Sequence, residues 1–261
     1  MLLNHTSSIT DAQQYKSLDI INPATNENWR GSYAGRAPGE SYEYSNLGYN
    51  MVGTIVERVS GQRYDAYVGQ HVLDPLGLRA GYLPDALDAG RFAQIYSWNE
   101  ARQDYVRSEA AYAPLGKRLD GYRMGYDTPM FSPTGGLKIS APDLATWMLM
   151  HMNRGEWNGV RLLSVEHAKR MQTRSTSVDE NGDYGLAIRL ERALIPGVEM
   201  IGHTGSAYGL FSSMYFNPEK KYGFVVITNG TRDVQVRTEV NRALYQHFIV
   251  DAAGQRAQVS K

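Results

Sequence analysis

Tyr44 and Asn46 stand two positions apart in the run Tyr44-Ser45-Asn46-Leu47-Gly48-Tyr49, just ahead of a predicted helix. A loop there can present both side chains to one cleft. A phenol titrates near pH 10 when unperturbed, and it serves as a base near neutrality only where cations stabilise its phenolate. The Asn46 amide can donate to and accept from a substrate amide. Far downstream lies Gly202-His203-Thr204-Gly205-Ser206-Ala207-Tyr208-Gly209, at the end of a predicted strand. Glycine there lets a ligand approach the strand backbone. Thr204 offers a hydroxyl to a carboxylate or carbonyl. His203, with a reference pKa near 6.5, is partly cationic in the neutral range. Bare Tyr-x-Asn and His-Thr-Gly triplets are also ordinary features of a pre-helix loop and a hairpin entry, so their context carries the weight.

The elements that must position these residues are legible from pattern. Leu47, Met51, Val52, Ile55, Val56 and Val59 recur at helical spacing, which predicts a helix from Leu47 to Ser60 with that face buried. Gly61 is placed to close it in a left-handed C-cap. A second helix is expected over Arg63–Val72. Residues 1–46 read mostly as loop, and 79–131 as a long connection with short strand pieces. Ser140-Ala141-Pro142-Asp143 predicts a capped helix start, with the helix running to about Asn153 and stopping at Gly155; a short helix follows near Val165–Gln172. From Tyr184 the period changes. Tyr184–Leu190, Val198–His203, Leu210–Asn217 and Tyr222–Asn229 read as strands joined by short turns, hence an antiparallel sheet. Val234–Val250 reads as a final helix, and Ala252–Lys261 as a frayed tail.

Composition narrows the function. The 261 residues carry 27 basic and 27 acidic side chains and no cysteine. Balanced charge gives no general reason to expect nucleic acid, and no apolar run approaches a membrane span. Disulfides, thiolate metal sites and a cysteine nucleophile are excluded. The remaining histidines, His5, His71, His151, His167 and His247, show no metal-ligand pairing and are expected at surface or core. Asp179-Glu180-Asn181-Gly182-Asp183 lacks the glutamate of a calcium loop and reads as an Asn-Gly hairpin turn. No cofactor or metal is expected.

The two runs resemble the second and third active-site motifs of the class C β-lactamase and DD-peptidase family of serine hydrolases. Met1-Leu2-Leu3-Asn4-His5-Thr6-Ser7-Ser8, Pro75-Leu76-Gly77-Leu78 and Ser132-Pro133-Thr134-Gly135-Gly136-Leu137 resemble further segments of that family. The resemblance implies an α+β, β-lactamase/transpeptidase-like fold: a helical lobe plus an antiparallel sheet flanked by helices, with N-terminal elements missing. It implies one intimate catalytic domain, residues 1–183 forming the helical and loop lobe and 184–261 the sheet and last helix. By the same resemblance Tyr44, Asn46 and His203 are catalytic, Thr204, Gly205 and Ser206 bind substrate, and the Ser206 backbone N–H is an oxyanion-hole donor. Substrates would be small-molecule or peptide acyl compounds: D-Ala-D-Ala-type peptides, β-lactams or esters. A periplasmic or secreted setting follows from the family alone.

Two departures matter. No serine in the chain has a lysine three positions on, so the Ser-x-x-Lys that supplies the family's nucleophile is absent from it. The expectation is a chain that starts mid-domain, is inactive by itself in covalent catalysis, and self-associates or takes a complementing N-terminal segment. The alternative is a non-catalytic member acting as a ligand-binding or interaction module. Second, His203 stands where most class C enzymes have lysine, as in DD-carboxypeptidase-like members. Anionic ligands are then expected to bind more weakly as pH rises through about 6–7.

Overall fold

Ser45, Ser140 and Ser164 each close the first turn of a helix, their hydroxyls accepting from the backbone N–H groups of Gly48, Asp143 and His167. Such caps satisfy donors that have no partner inside the helix. In this computed structural model, which describes residues 1–12, 16–128, 133–231 and 233–253, the helices are α1 (Asn46–Ser60), α2 (Tyr64–Val68, continued by a π turn over Gly69–Leu73), α3 (Ala141–Met152), α4 (Val165–Met171) and α5 (Gln235–Tyr245, continued by a π turn over Gln246–Asp251). Ser132 of the Gly-Gly-Leu segment and residues 254–261 of the expected frayed tail lie outside the described residues.

Among the described residues ten strands accompany them. β1 (Tyr96–Asn99) and β2 (Asp104–Arg107) form a hairpin within the long connection, and β3 (Glu156–Trp157) and β4 (Val160–Arg161) a smaller one. β5 (Thr176–Asp179), β6 (Gly182–Tyr184), β7 (Arg189–Ile195), β8 (Val198–Ala207), β9 (Leu210–Asn217) and β10 (Tyr222–Asn229) build one antiparallel sheet in the order β10-β9-β8-β7-β6-β5. The sheet is packed on both faces. Met148 and Met152 of α3 lie on Ile188, Leu190, Ile201 and Phe216. On the other face Leu244 and Tyr245 of α5 lie on Leu194, Val198, Met200, Tyr215 and Phe224. The expected α+β plan, a sheet flanked by helices, is the one observed. No helix among the described residues is long and apolar enough to cross a membrane.

Three local expectations change. The strand read over Tyr184–Leu190 is two strands, because the chain reverses between Tyr184 and Arg189 and Ala187 takes φ 61°. β8 runs on to Ala207, so the His-Thr-Gly triplet lies inside a ladder paired to β9. The third change concerns α1. It begins at Asn46, and Gly61 closes it at φ 70° with its N–H on Glu57 O. Leu47 and Met51 pack inward as expected, but beyond them its interior face is polar. Asn50, Thr54 and Glu57 are each 1% exposed, whereas Ile55 and Val59 of the predicted core face are 47% and 83% exposed.

The reason lies in what packs on that helix. The Glu57 carboxylate accepts from Tyr64 N–H, Tyr122 O–H and Gly125 N–H at 2.8–2.9 Å. Thr54 Oγ1 donates to the Asp127 carbonyl at 3.2 Å. The long connection carries backbone donors and acceptors that need partners, and α1 supplies them from its buried side.

Candidate active site

Tyr44 and His203 face one another, their ring centroids 6.3 Å apart. Neither ring holds that position alone. His5, 2% exposed, lies between the walls of the cleft, with centroids 4.3 Å from Tyr44, 4.9 Å from Tyr49 and 4.9 Å from Tyr184. Tyr184 in turn meets the His203 ring edge-on at 5.9 Å. The loop before α1, the end of β6, the middle of β8 and the N-terminal turn therefore converge through aromatic contacts. Such pairs stabilise beyond the area they bury, by about 0.5–1.5 kcal/mol each.

Hydrogen bonds fix the state of both imidazoles. His5 Nδ1 accepts the backbone N–H of Ser45 at 3.0 Å, which places its proton on Nε2. That Nε2 is buried with no partner among the described residues. Burial, and secondly the charge of His203, pull the His5 pKa down to about 4, against a smaller upward pull from Asp11. His203 Nδ1 lies 2.6 Å from the Thr204 carbonyl. A carbonyl only accepts, so Nδ1 carries the proton and Nε2 keeps its lone pair. Burial, with the neighbouring charges of Arg189 and Arg237, lowers the His203 pKa below 6.5, outweighing the Thr204 carbonyl. His203 is thus less cationic near neutrality than a free imidazole, and the expected fall in anion binding shifts to lower pH.

Asp11 was not singled out from the sequence. Its carboxylate accepts from Ser45 Oγ (3.0 Å), Asn46 N–H (2.8 Å), the Asn46 side-chain amide (2.8 Å) and Leu47 N–H (2.7 Å). Burial opposes ionisation of this carboxyl, but the donors from Leu47, Asn46 and Ser45 prevail and hold it below the usual carboxylate range. A carboxylate can receive only the NH2 side of an amide. Asn46 therefore commits a donor to Asp11 and has Oδ1 as its only acceptor.

The third run divides. Side chains alternate along a strand. His203, Gly205 and Ala207 are paired with Met214, Ser212 and Leu210, and Met214 packs with the α3 side. Gly202 and Thr204 are paired with Tyr215 and Ser213; Tyr215 packs with α5, and Ser213 Oγ accepts from Asn241 of α5 at 2.7 Å. The structure thus brings Tyr44 and His203 together and sends the Thr204 and Ser206 side chains to the opposite face. A Cβ at Gly205 would lie 2.5 Å from Ser212 Oγ, so the neighbouring strand fills the space that glycine leaves. Arg237 of α5 donates to the carbonyls of Gly205 and Ser212 at 3.3 Å, bringing a permanent cation to that strand. Among the described residues no group of three or more His, Cys, Asp or Glu side chains could hold a metal ion.

Sequence reasoning placed His5 among histidines expected at surface or core, and it is buried, but its contact with Tyr44 was not foreseen, although Met1–Ser8 resembles a family segment. That resemblance was the available signal for His5. For Asp11 there was none, since a carboxylate 35 positions before Asn46 has no spacing signature.

Residues 1–247 match the model of the beta-lactamase family. The chain belongs to that family. Among curated proteins, it is similar to an Escherichia coli O157:H7 protein named "Putative D-alanyl-D-alanine carboxypeptidase", 27% identical over 184 residues covering 64% of this chain and 41% of the relative. The fold resembles the octameric penicillin-binding protein homologue of Pyrococcus abyssi, at TM-score 0.65 and 23% identity, covering 92% of this chain and 53% of the other. It also resembles a class C beta-lactamase, at TM-score 0.64 and 17% identity, covering 94% and 68%. The chain therefore spans less than half the length of the curated relative and about half of the Pyrococcus abyssi protein.

Proposed function

We propose that this chain carries the acyl-ligand-recognising part of a serine hydrolase of the DD-carboxypeptidase, esterase or β-lactamase type, with Tyr44, Asn46 and His203 lining the cleft. The single observation that supports this is the Tyr44–His203 apposition, buttressed by His5 against Tyr44 and Tyr184 against His203. In this reading Tyr44 and the Nε2 lone pair of His203 are the proton-handling groups. The β8 backbone from Thr204 to Ser206 aligns the ligand, and Asn46 Oδ1 receives a ligand or lysine N–H. The attacking serine comes from a Ser-x-x-Lys segment that this sequence does not contain, supplied by a complementing N-terminal segment.

A second reading is a ligand-binding or interaction module without turnover. The Asp11 clamp favours it, because it engages one of the two N–H donors of the Asn46 amide and ties that amide to the protein.

Incubation with a fluorescent penicillin separates the two. The first reading expects no covalent label on the chain alone and a stable label once a segment bearing Ser-x-x-Lys is supplied in trans or encoded in frame upstream. Failure of every such segment to restore labelling, with reversible binding intact, leaves the module. Loss of D-alanyl-D-alanine binding in neither Tyr44→Phe nor His203→Ala would sink both.

A further inference from the structure

A cavity of about 660 Å³ lies on the α3 face of the sheet, beyond the end of β8. It touches neither Tyr44, Asn46 nor His203. Leu144 of α3, Leu210 of β9 and Ile227 of β10 form its floor, and Leu87, Phe92 and Ile95 of the long connection its roof. A space of this size with an apolar lining and few polar groups is the general form of a small-molecule site.

Its charged groups are one-sided. Arg79, Arg91 and Lys138 line it against a single acid, Asp88. Asp88 is engaged by the Gly90 N–H at 2.9 Å. Lys138 is half-buried, and its Nζ donates to the Gly136 carbonyl at 2.9 Å. Among the described residues no carboxylate pairs with Lys138, Arg79 or Arg91. A part-buried ammonium held only by a neutral carbonyl is under-compensated, and burial accordingly lowers the Lys138 pKa from its usual value. A bound carboxylate would reverse that.

We propose that this cavity binds an alkyl-chain carboxylate of medium length, its hydrocarbon on the Leu144–Leu210–Ile227 floor and its carboxylate on the Lys138 ammonium. The site is independent of the reading given to Tyr44 and His203. Charge selects the head group, because a cationic amphiphile would add a fourth positive charge to the three of Arg79, Arg91 and Lys138. The apolar floor selects the chain, because a short carboxylate such as acetate leaves it uncovered.

The test is calorimetric titration of the full chain with dodecanoate below its micelle concentration, beside dodecanol and dodecyltrimethylammonium. The expected result is saturable one-to-one binding of dodecanoate, at least tenfold tighter than dodecanol, with no binding of the cationic amphiphile. Lys138→Met is expected to remove that tenfold preference while leaving chain binding in place. Ile227→Trp, or Leu210→Trp should the first variant fail to give a native circular dichroism spectrum, is expected to abolish binding by filling the floor. Absence of saturable binding below millimolar dodecanoate overturns the proposal. So does equal binding of dodecanoate and dodecanol, or stoichiometry above one that neither Lys138→Met nor the tryptophan variants change.

Discussion

Asp11 holds Asn46 twice, accepting its backbone N–H and its side-chain amide N–H, each at 2.8 Å. The same carboxylate takes the Leu47 N–H and the Ser45 hydroxyl, so it caps α1 and fixes the motif loop in one stroke. Replacing Asp11 by Ala is expected to cost about 1–2 kcal/mol, the range for losing a helix cap, read as a shift of the urea midpoint. Because the Asp11 pKa is lowered on folding, its contribution is present above the unfolded carboxylate value near 3.9 and is lost as pH falls below it. The cost of Asp11→Ala should therefore be constant from pH 5 to 8 and shrink in stronger acid. A cost that grows in acid would contradict the clamp.

His5 sets a different acid limit. Its pKa falls from 6.5 to about 4 on folding, and that of His151 on α3 does the same through burial. Below pH 6.5 the unfolded chain binds protons that the folded chain refuses, so stability declines from pH 6.5 down to about 4 and levels off beneath. Thermal midpoints measured across that interval should drop with pH. The drop should be shallower in His5→Gln.

For His203 the expected observable is its titration by NMR, with a midpoint below 6.5. His203→Lys would place a permanent ammonium at the cleft. It should strengthen binding of a carboxylate ligand at pH 7–8 several-fold while weakening the packing on Tyr184. Equal affinity of the two proteins for that ligand at pH 7.5 would show that position 203 does not meet the anion.

Glu57 is the buried anchor of the long connection. Hydrogen bonds to a charged group contribute about 1.5–3 kcal/mol each, and donors stranded in the interior cost further. Glu57→Ala is thus expected to destabilise the chain by about 3 kcal/mol or more in denaturant unfolding. Glu57→Gln, which keeps the volume and one acceptor, should cost clearly less.

The outward apolar stripe of α1, with Ile55 and Val59 exposed, is expected to drive self-association. Light scattering at rising protein concentration should show it, and replacing both residues by lysine should abolish it. A monodisperse monomer in the unaltered chain would count against this expectation.

Much of the architecture was legible because it is written locally. The cap at Ser140, the stop at Gly61 and the strand pattern beyond residue 184 each rest on neighbours within a few positions. The inward face of α1 was misread because periodicity counts apolar residues, whereas the connection packed on that helix needs hydrogen-bond partners. The apposition of Tyr44 and His203 was anticipated through resemblance. The place of His5 beside them was not, since a ring packed against positions 44 and 184 leaves no periodic trace. Nor does a triplet reveal which of its residues share a strand face: Thr204 and His203 are adjacent in the chain and opposite in the sheet.

The rings that wall the cleft come from positions 5, 44, 184 and 203, with no covalent tie among them. Closing such long loops is entropically costly until hairpins and helices have already shortened the path between their ends. The crevice should therefore be among the latest regions to gain amide protection during refolding and among the earliest to lose it in mild denaturant, while the β8–β9–β10 meander stays shut.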